Sequence, residues 1–146
     1  MLDAEKDTPI TREIKAGDLS SVRGIINQAD NMSGAVTKGV MDLLECRDNR
    51  GRTALFVAVE NGQLEIVNFL LDFYPHLDLN AKDTMNGDSI LHVACRNGQK
   101  ELVKQLFELR EERCLQQNYR GETPIFTATQ IHSLYPEILP IFDKEN

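Results

Sequence analysis

Cysteine is scarce in this sequence, and the three present, Cys46, Cys95 and Cys114, are an odd number without metal-ligand pairing. A disulfide framework needs an even set at short spacings, so the chain is expected in a reducing compartment, cytoplasmic or nuclear. No apolar run approaches the roughly 18 residues of a membrane span. Residues Met1 to Pro9 are acidic and polar, and lack the basic start and apolar centre of a secretory signal. Positive charge is also short. The 16 Lys and Arg against 23 Asp and Glu give a formal net charge of −7, which argues against nucleic acid or anionic membrane as partners, because phosphate binding draws on clustered cations. There is no Gly-rich phosphate loop, no Gly-x-Ser-x-Gly elbow and no His-Glu-x-x-His. No reaction class is therefore indicated, and no enzyme activity or cofactor is expected. His92 and Cys95, three apart, could face one metal, but no second pair completes a tetrahedral set.

What the sequence does have is an internal repeat. The stretch Gly51 to Leu71 returns at Gly87 to Phe107. In each copy a Gly stands two residues before a Thr or Ser, a short apolar run follows, then Asn-Gly, then a second apolar run. Thr53 and Ser89 stand where a hydroxyl can accept a hydrogen bond from the exposed N–H groups of a first helical turn. Gly62 and Gly98 stand where that helix must stop in a left-handed residue. Beyond them Ile66, Val67, Leu70 and Leu71, and again Leu102, Val103, Leu106 and Phe107, mark one face of a second helix. Two more capping positions, Thr8 and Thr123, extend the series, each followed by a Pro at the first helical position. The four caps lie 45, 36 and 34 residues apart, which sets a base period near 33.

A period near 33 with a Thr-Pro-Leu-His-x-Ala box opening the first helix resembles the ankyrin repeat. The box reads Thr8-Pro9-Ile10-Thr11, Thr53-Ala54-Leu55-Phe56-Val57-Ala58, Ser89-Ile90-Leu91-His92-Val93-Ala94 and Thr123-Pro124-Ile125-Phe126-Thr127-Ala128. The resemblance implies an all-α solenoid in a single domain. It would hold about four helix-turn-helix repeats with β-turn tips, at roughly 3–30, 46–80, 83–117 and 118–146. An insertion follows the first helix pair at about 31–45, where Ser33-Gly34 could open a helix carrying Val36, Val40, Leu43 and Leu44; a longer loop with one docked turn is the other reading. In the first pair, Thr11, Arg12, Glu13 and Lys15 are expected on a polar outer side. In the fourth repeat, Pro136 and Pro140 should leave the second helix short or distorted.

The resemblance further implies that His92 hydrogen-bonds within and between repeats, that His76 and His132 are loop residues, and that the chain binds another protein. Its concave face would offer Asn49, Arg50, Arg52, Glu60 and Asn61 from the second repeat. The third would add Met85, Asn86, Asp88, Arg96 and Asn97, and the fourth Tyr119, Arg120, Glu122 and Gln130. Arg50, Arg52 and Arg96 could form a basic patch for an acidic or phosphorylated segment, or Glu60 and Asp88 could neutralise it locally. Gly87 to Ala94 followed by Gln117-Asn118-Tyr119 resembles the repeats of IκB-type inhibitors, which mask a transcription factor. The other reading is a substrate-recruiting ankyrin module of a larger enzyme or effector.

Overall fold

The computed structural model of the chain describes residues 8–33, 38–74, 77, 79, 81–109 and 115–142. These form two compact units, Met1–Ala81 and Lys82–Asn146. Among the described residues there are eight α-helices and no extended strand; one isolated antiparallel bridge joins Lys82 to Ser89.

The first unit holds α1 (Pro9–Ala16), α2 (Leu19–Ser33), α3 (Lys38–Glu45), α4 (Ala54–Glu60) and α5 (Leu64–Phe73). Thr8 and Thr53 cap α1 and α4 by accepting the backbone N–H three residues on, at 3.3 and 3.2 Å. Ile10, Ile14, Val22 and Ile26 turn inward from α1 and α2, and Leu55, Phe56, Ile66, Val67 and Leu70 do so from α4 and α5. Two features depart from the sequence reading. Thr11 is fully buried rather than on the polar side, because its Oγ1 donates to the Thr8 carbonyl at 2.9 Å and so needs no water. The second helix runs on to Ser33, which consumes part of the insertion. The described part of the insertion forms a helix over Lys38–Glu45. That helix is docked, with Val40 and Leu44 buried as its spacing required and packed against α2 and α4. Gly34 and Val36 lie outside the described residues, as do His76 and Cys114.

The second unit holds α6 (Ile90–Arg96), α7 (Lys100–Leu109), α8 (Pro124–Gln130) and a 3-10 turn at Leu139–Phe142. Ser89 and Thr123 cap α6 and α8 in the manner of Thr8 and Thr53. Helix α6 packs on both α7 and α8, and the 3-10 turn closes on α7 and α8. After α8 the chain turns through 131–138 and forms no second α-helix among the described residues, since Pro136 and Pro140 fall four apart and each removes a backbone donor. The apolar residues still find partners: Ile138 is fully buried, and Phe142 meets Phe107 edge-on at 5.2 Å between centroids.

Candidate partner-binding site

The candidate positions gather around three tips, each organised by a side chain that mimics a backbone carbonyl. Asp48, Asp83 and Asn118 stand 35 residues apart. In the first unit Asp48 Oδ1 accepts the N–H of Arg50 and of Arg52, both at 2.9 Å, while Oδ2 takes Arg52 Nε at 2.8 Å. Arg52 Nη1 reaches Glu60, eight residues on at the end of α4, at 2.8 Å. The guanidinium is thereby drawn into the fold. Burial alone would lower the Arg52 pKa, but the bonds and charges of Glu60 and then Asp48 outweigh it and hold the pKa above its usual value.

In the second unit the same pair recurs with its signs reversed. Asp88 stands where Arg52 stands relative to the cap, and its Oδ2 accepts Arg96 Nη1 from the end of α6 at 2.7 Å, again across eight residues. Its Oδ1 receives Asn118 Nδ2 from the next tip at 3.0 Å. Burial pushes the Asp88 pKa up, yet the hydrogen bonds from Arg96 and Asn118 and the nearby charges bring it below the ordinary carboxylate value. Asp83 Oδ1 holds the N–H groups of Asn86 and Asp88, at 2.8 and 3.3 Å, and Asn118 Oδ1 holds those of Arg120 and Glu122, at 2.9 and 3.0 Å. The two tips are tied by the Tyr119 N–H donating to the Asn86 carbonyl at 2.9 Å.

Beneath this tie, His92 joins consecutive repeats. Its Nδ1 faces the Ser89 N–H at 3.1 Å, which can only donate, and its Nε2 faces the Glu122 carbonyl at 2.7 Å, which can only accept. The ring is therefore neutral with its proton on Nε2. Three residues on, burial pushes the Cys95 thiol up to about 12. With both ring nitrogens spent and the thiol held protonated, His92 and Cys95 do not make a metal site.

The structure brings Asn86, Arg96, Arg120 and Glu122 together around a cleft of about 280 Å³, with Asn118 as the fifth lining residue. Tyr119 and Met85 stand exposed on the same two tips. Asn61, Asn97 and Gln130 are exposed at the ends of the first helices, Asn49 is exposed and Arg50 half-buried on the first unit's tip. Two positions leave the candidate surface. Arg52, at 3% exposure, and Asp88, at 0%, are held inside by their ion pairs and tip bonds. The expected trio of basic anchors is thus reduced, and the local neutralisation of Arg52 by Glu60 and of Arg96 by Asp88 is what the geometry gives. The sequence reading missed Asp48, Asp83 and Asn118. Their signal was an Asp or Asn returning at constant spacing a few residues ahead of each cap.

Tyr119 is placed by a glycine. At Gly87, where φ is +68°, an added Cβ would fall 2.5 Å from the Tyr119 ring, whereas at Gly121, with φ of +76°, it would meet nothing. Both positions are left-handed, so alanine is strained at each by about 1 kcal/mol or more. Gly87→Ala should therefore cost more than Gly121→Ala in urea denaturation, and the excess should vanish in a Tyr119→Ala background. Equal costs in the wild-type background would show that the ring is not held there.

Residues 1–83 and 73–139 match the family described as Ankyrin repeats (3 copies). The chain belongs to the ankyrin-repeat family, whose arrays are in general non-catalytic modules for binding other proteins. A relative, the "ANK repeat-containing protein nipk-1" of Caenorhabditis elegans, is 27% identical over 135 residues, covering 92% of this chain and 21% of that protein. The chain thus spans about a fifth of the length of that relative. No helix among the described residues is long and apolar enough to cross a membrane.

Proposed function

We propose that this chain is a non-catalytic module that binds a partner protein through its turn tips and the exposed ends of its first helices, in the cytoplasm or nucleus. The observation that carries this reading is the second-unit surface, where two hydrogen-bonded tips hold Asn86 and Arg120 around one cleft and also carry exposed Met85 and Tyr119. Tyr and Arg are enriched among residues that carry binding energy, and a surface ordered before binding loses less entropy on association. An acidic partner segment is the finer reading, with Arg96 and Arg120 now in place of Arg52. An inhibitor of the IκB type, masking a transcription factor, rests on Gly87 to Ala94 followed by Gln117-Asn118-Tyr119. Recruitment of a substrate to a larger enzyme or effector is favoured by one observation, that the worm relative carries its matching stretch within a far longer chain.

The test compares proteins captured by the wild type with those captured by a tip variant carrying Met85→Ala, Asn86→Ala, Tyr119→Ala and Arg120→Ala. These residues are exposed, so the circular dichroism melt should be unchanged. The expected result is one or more proteins enriched by the wild type and lost from the variant. A Rel-family factor among them supports the inhibitor reading, and an enzyme's substrate supports recruitment. The same set captured by both forms would move binding off the tips.

A further inference from the structure

The cleft of the second unit offers more hydrogen-bond donors than its own acceptors use. Arg120 is exposed, and its guanidinium has no partner among the described residues. Arg96, with its side chain 45% exposed, spends only Nη1 among the described residues, on Asp88. The acceptors nearby are largely committed. Both oxygens of Asp88 are taken, by Arg96 and Asn118, in a side chain with no exposure, and Glu122 Oε1 receives Asn118 Nδ2. A guanidinium presents its N–H groups as a planar fork matched to a carboxylate. The cleft volume of about 280 Å³ falls just under the roughly 300–1,000 Å³ of small-molecule sites, which suits one side chain rather than a cofactor.

The geometry points to a subsite for a single carboxylate, the side chain of an Asp or Glu in a partner segment, received by Arg96 and Arg120. This deepens the partner-binding reading and rests on it for the source of the carboxylate. A phosphoryl group fits less well. It carries nearly two negative charges, and Glu122 lines the same cleft with Asp88 directly beneath. A planar monoanion meets the forks with half that repulsion.

The experiment titrates the isotope-labelled protein by NMR with three capped tripeptides that differ only at the centre, as Ala-Glu-Leu, Ala-Gln-Leu and Ala-phosphoserine-Leu. Saturable shifts are expected at the Arg96 and Arg120 Nε–H groups and at Tyr119 for the glutamate peptide. The glutamine peptide should bind about tenfold more weakly, and the phosphoserine peptide no better than the glutamate one. Arg120→Gln should abolish the shifts, and Arg120→Lys, which keeps the charge but loses the fork, should weaken them by about fivefold. Arg120 is exposed and its side chain supports nothing in the fold, so both variants stay folded. Equal binding of the glutamate and glutamine peptides, or an unchanged titration in Arg120→Gln, would overturn the carboxylate subsite while leaving capture of a partner by the tips intact. Tighter binding of phosphoserine would replace the carboxylate with a phosphoryl group.

Discussion

Replacing Arg52 by methionine is expected to destabilise the protein by about 3 kcal/mol, more than any exposed position on the tips. The side chain of Asp48 is 2% exposed, and Arg52 supplies the N–H group that meets its Oδ2. Once the guanidinium is gone, the carboxylate keeps its two backbone donors on Oδ1 but has lost its counter-charge. Breaking a buried pair by removing one partner costs about 3–5 kcal/mol, because a charge is left uncompensated. The lower end applies, since the Glu60 side chain is 33% exposed and water can take over part of its solvation. The pair should also be coupled. In a double-mutant cycle with Glu60→Gln, the second substitution should cost clearly less once Arg52 is already methionine. Free energies from urea denaturation that add to within about 0.3–0.5 kcal/mol would mean the two side chains do not act as a unit.

The Arg52 pair also marks the boundary of what the sequence discloses. Features set by a residue and its own backbone neighbours were legible: four Thr or Ser caps each found the N–H three residues on, and Gly62 and Gly98 took left-handed conformations with φ of +67° and +68°. Those interactions close within one helical turn, so spacing alone specifies them. Arg52 and Asp88 were read as surface residues because the resemblance places their positions on the concave face. Their burial depends on a partner of opposite sign eight residues along, at the far end of a helix; the charges offered that neutralisation as one reading, but not that it would hold Arg52 and Asp88 inside. The sign reversal between the pairs adds to the difficulty, since no fixed residue type marks the position. The insertion was half legible. Val40 and Leu44 declared a buried helical face, but no residue in the spacing marked the point where α2 stops, at Ser33. In the fourth repeat the prolines announced an interrupted helix, while the burial of Ile138 came from the shape of the surface left open by α7 and α8.

Acidification from pH 7.5 to 5 is expected to cost the wild type up to about 2 kcal/mol of stability, and His92→Ala should remove most of that dependence while lowering stability at pH 7.5 by about 2–3 kcal/mol. Burial is the largest influence on this imidazole and pushes its pKa below the ordinary 6.5, against the raising effects of the Glu122 carbonyl and of Asp88. The geometry explains the resistance to protonation. A proton added at Nδ1 would turn an acceptor into a donor pointing at the Ser89 N–H, and would break the capping arrangement at the start of α6. The unfolded chain accepts that proton near its ordinary pKa, so it binds more protons than the folded form below about pH 6.5. Stability is then fully present above that value and falls as pH drops, by at most about 1.4 kcal/mol per pH unit for one group. Asp88 adds a second loss in the same direction, but only lower, as pH falls below its ordinary 3.8 toward its depressed folded value. Truncation to alanine also strands the Glu122 carbonyl and leaves a cavity, which is the source of the loss at pH 7.5. His132 is exposed, so His132→Ala should leave the melt at pH 7.5 unchanged. If the wild type and His92→Ala lose stability in parallel between pH 7.5 and 5, the acid sensitivity comes from some other group and the neutral, bridging role of His92 is wrong.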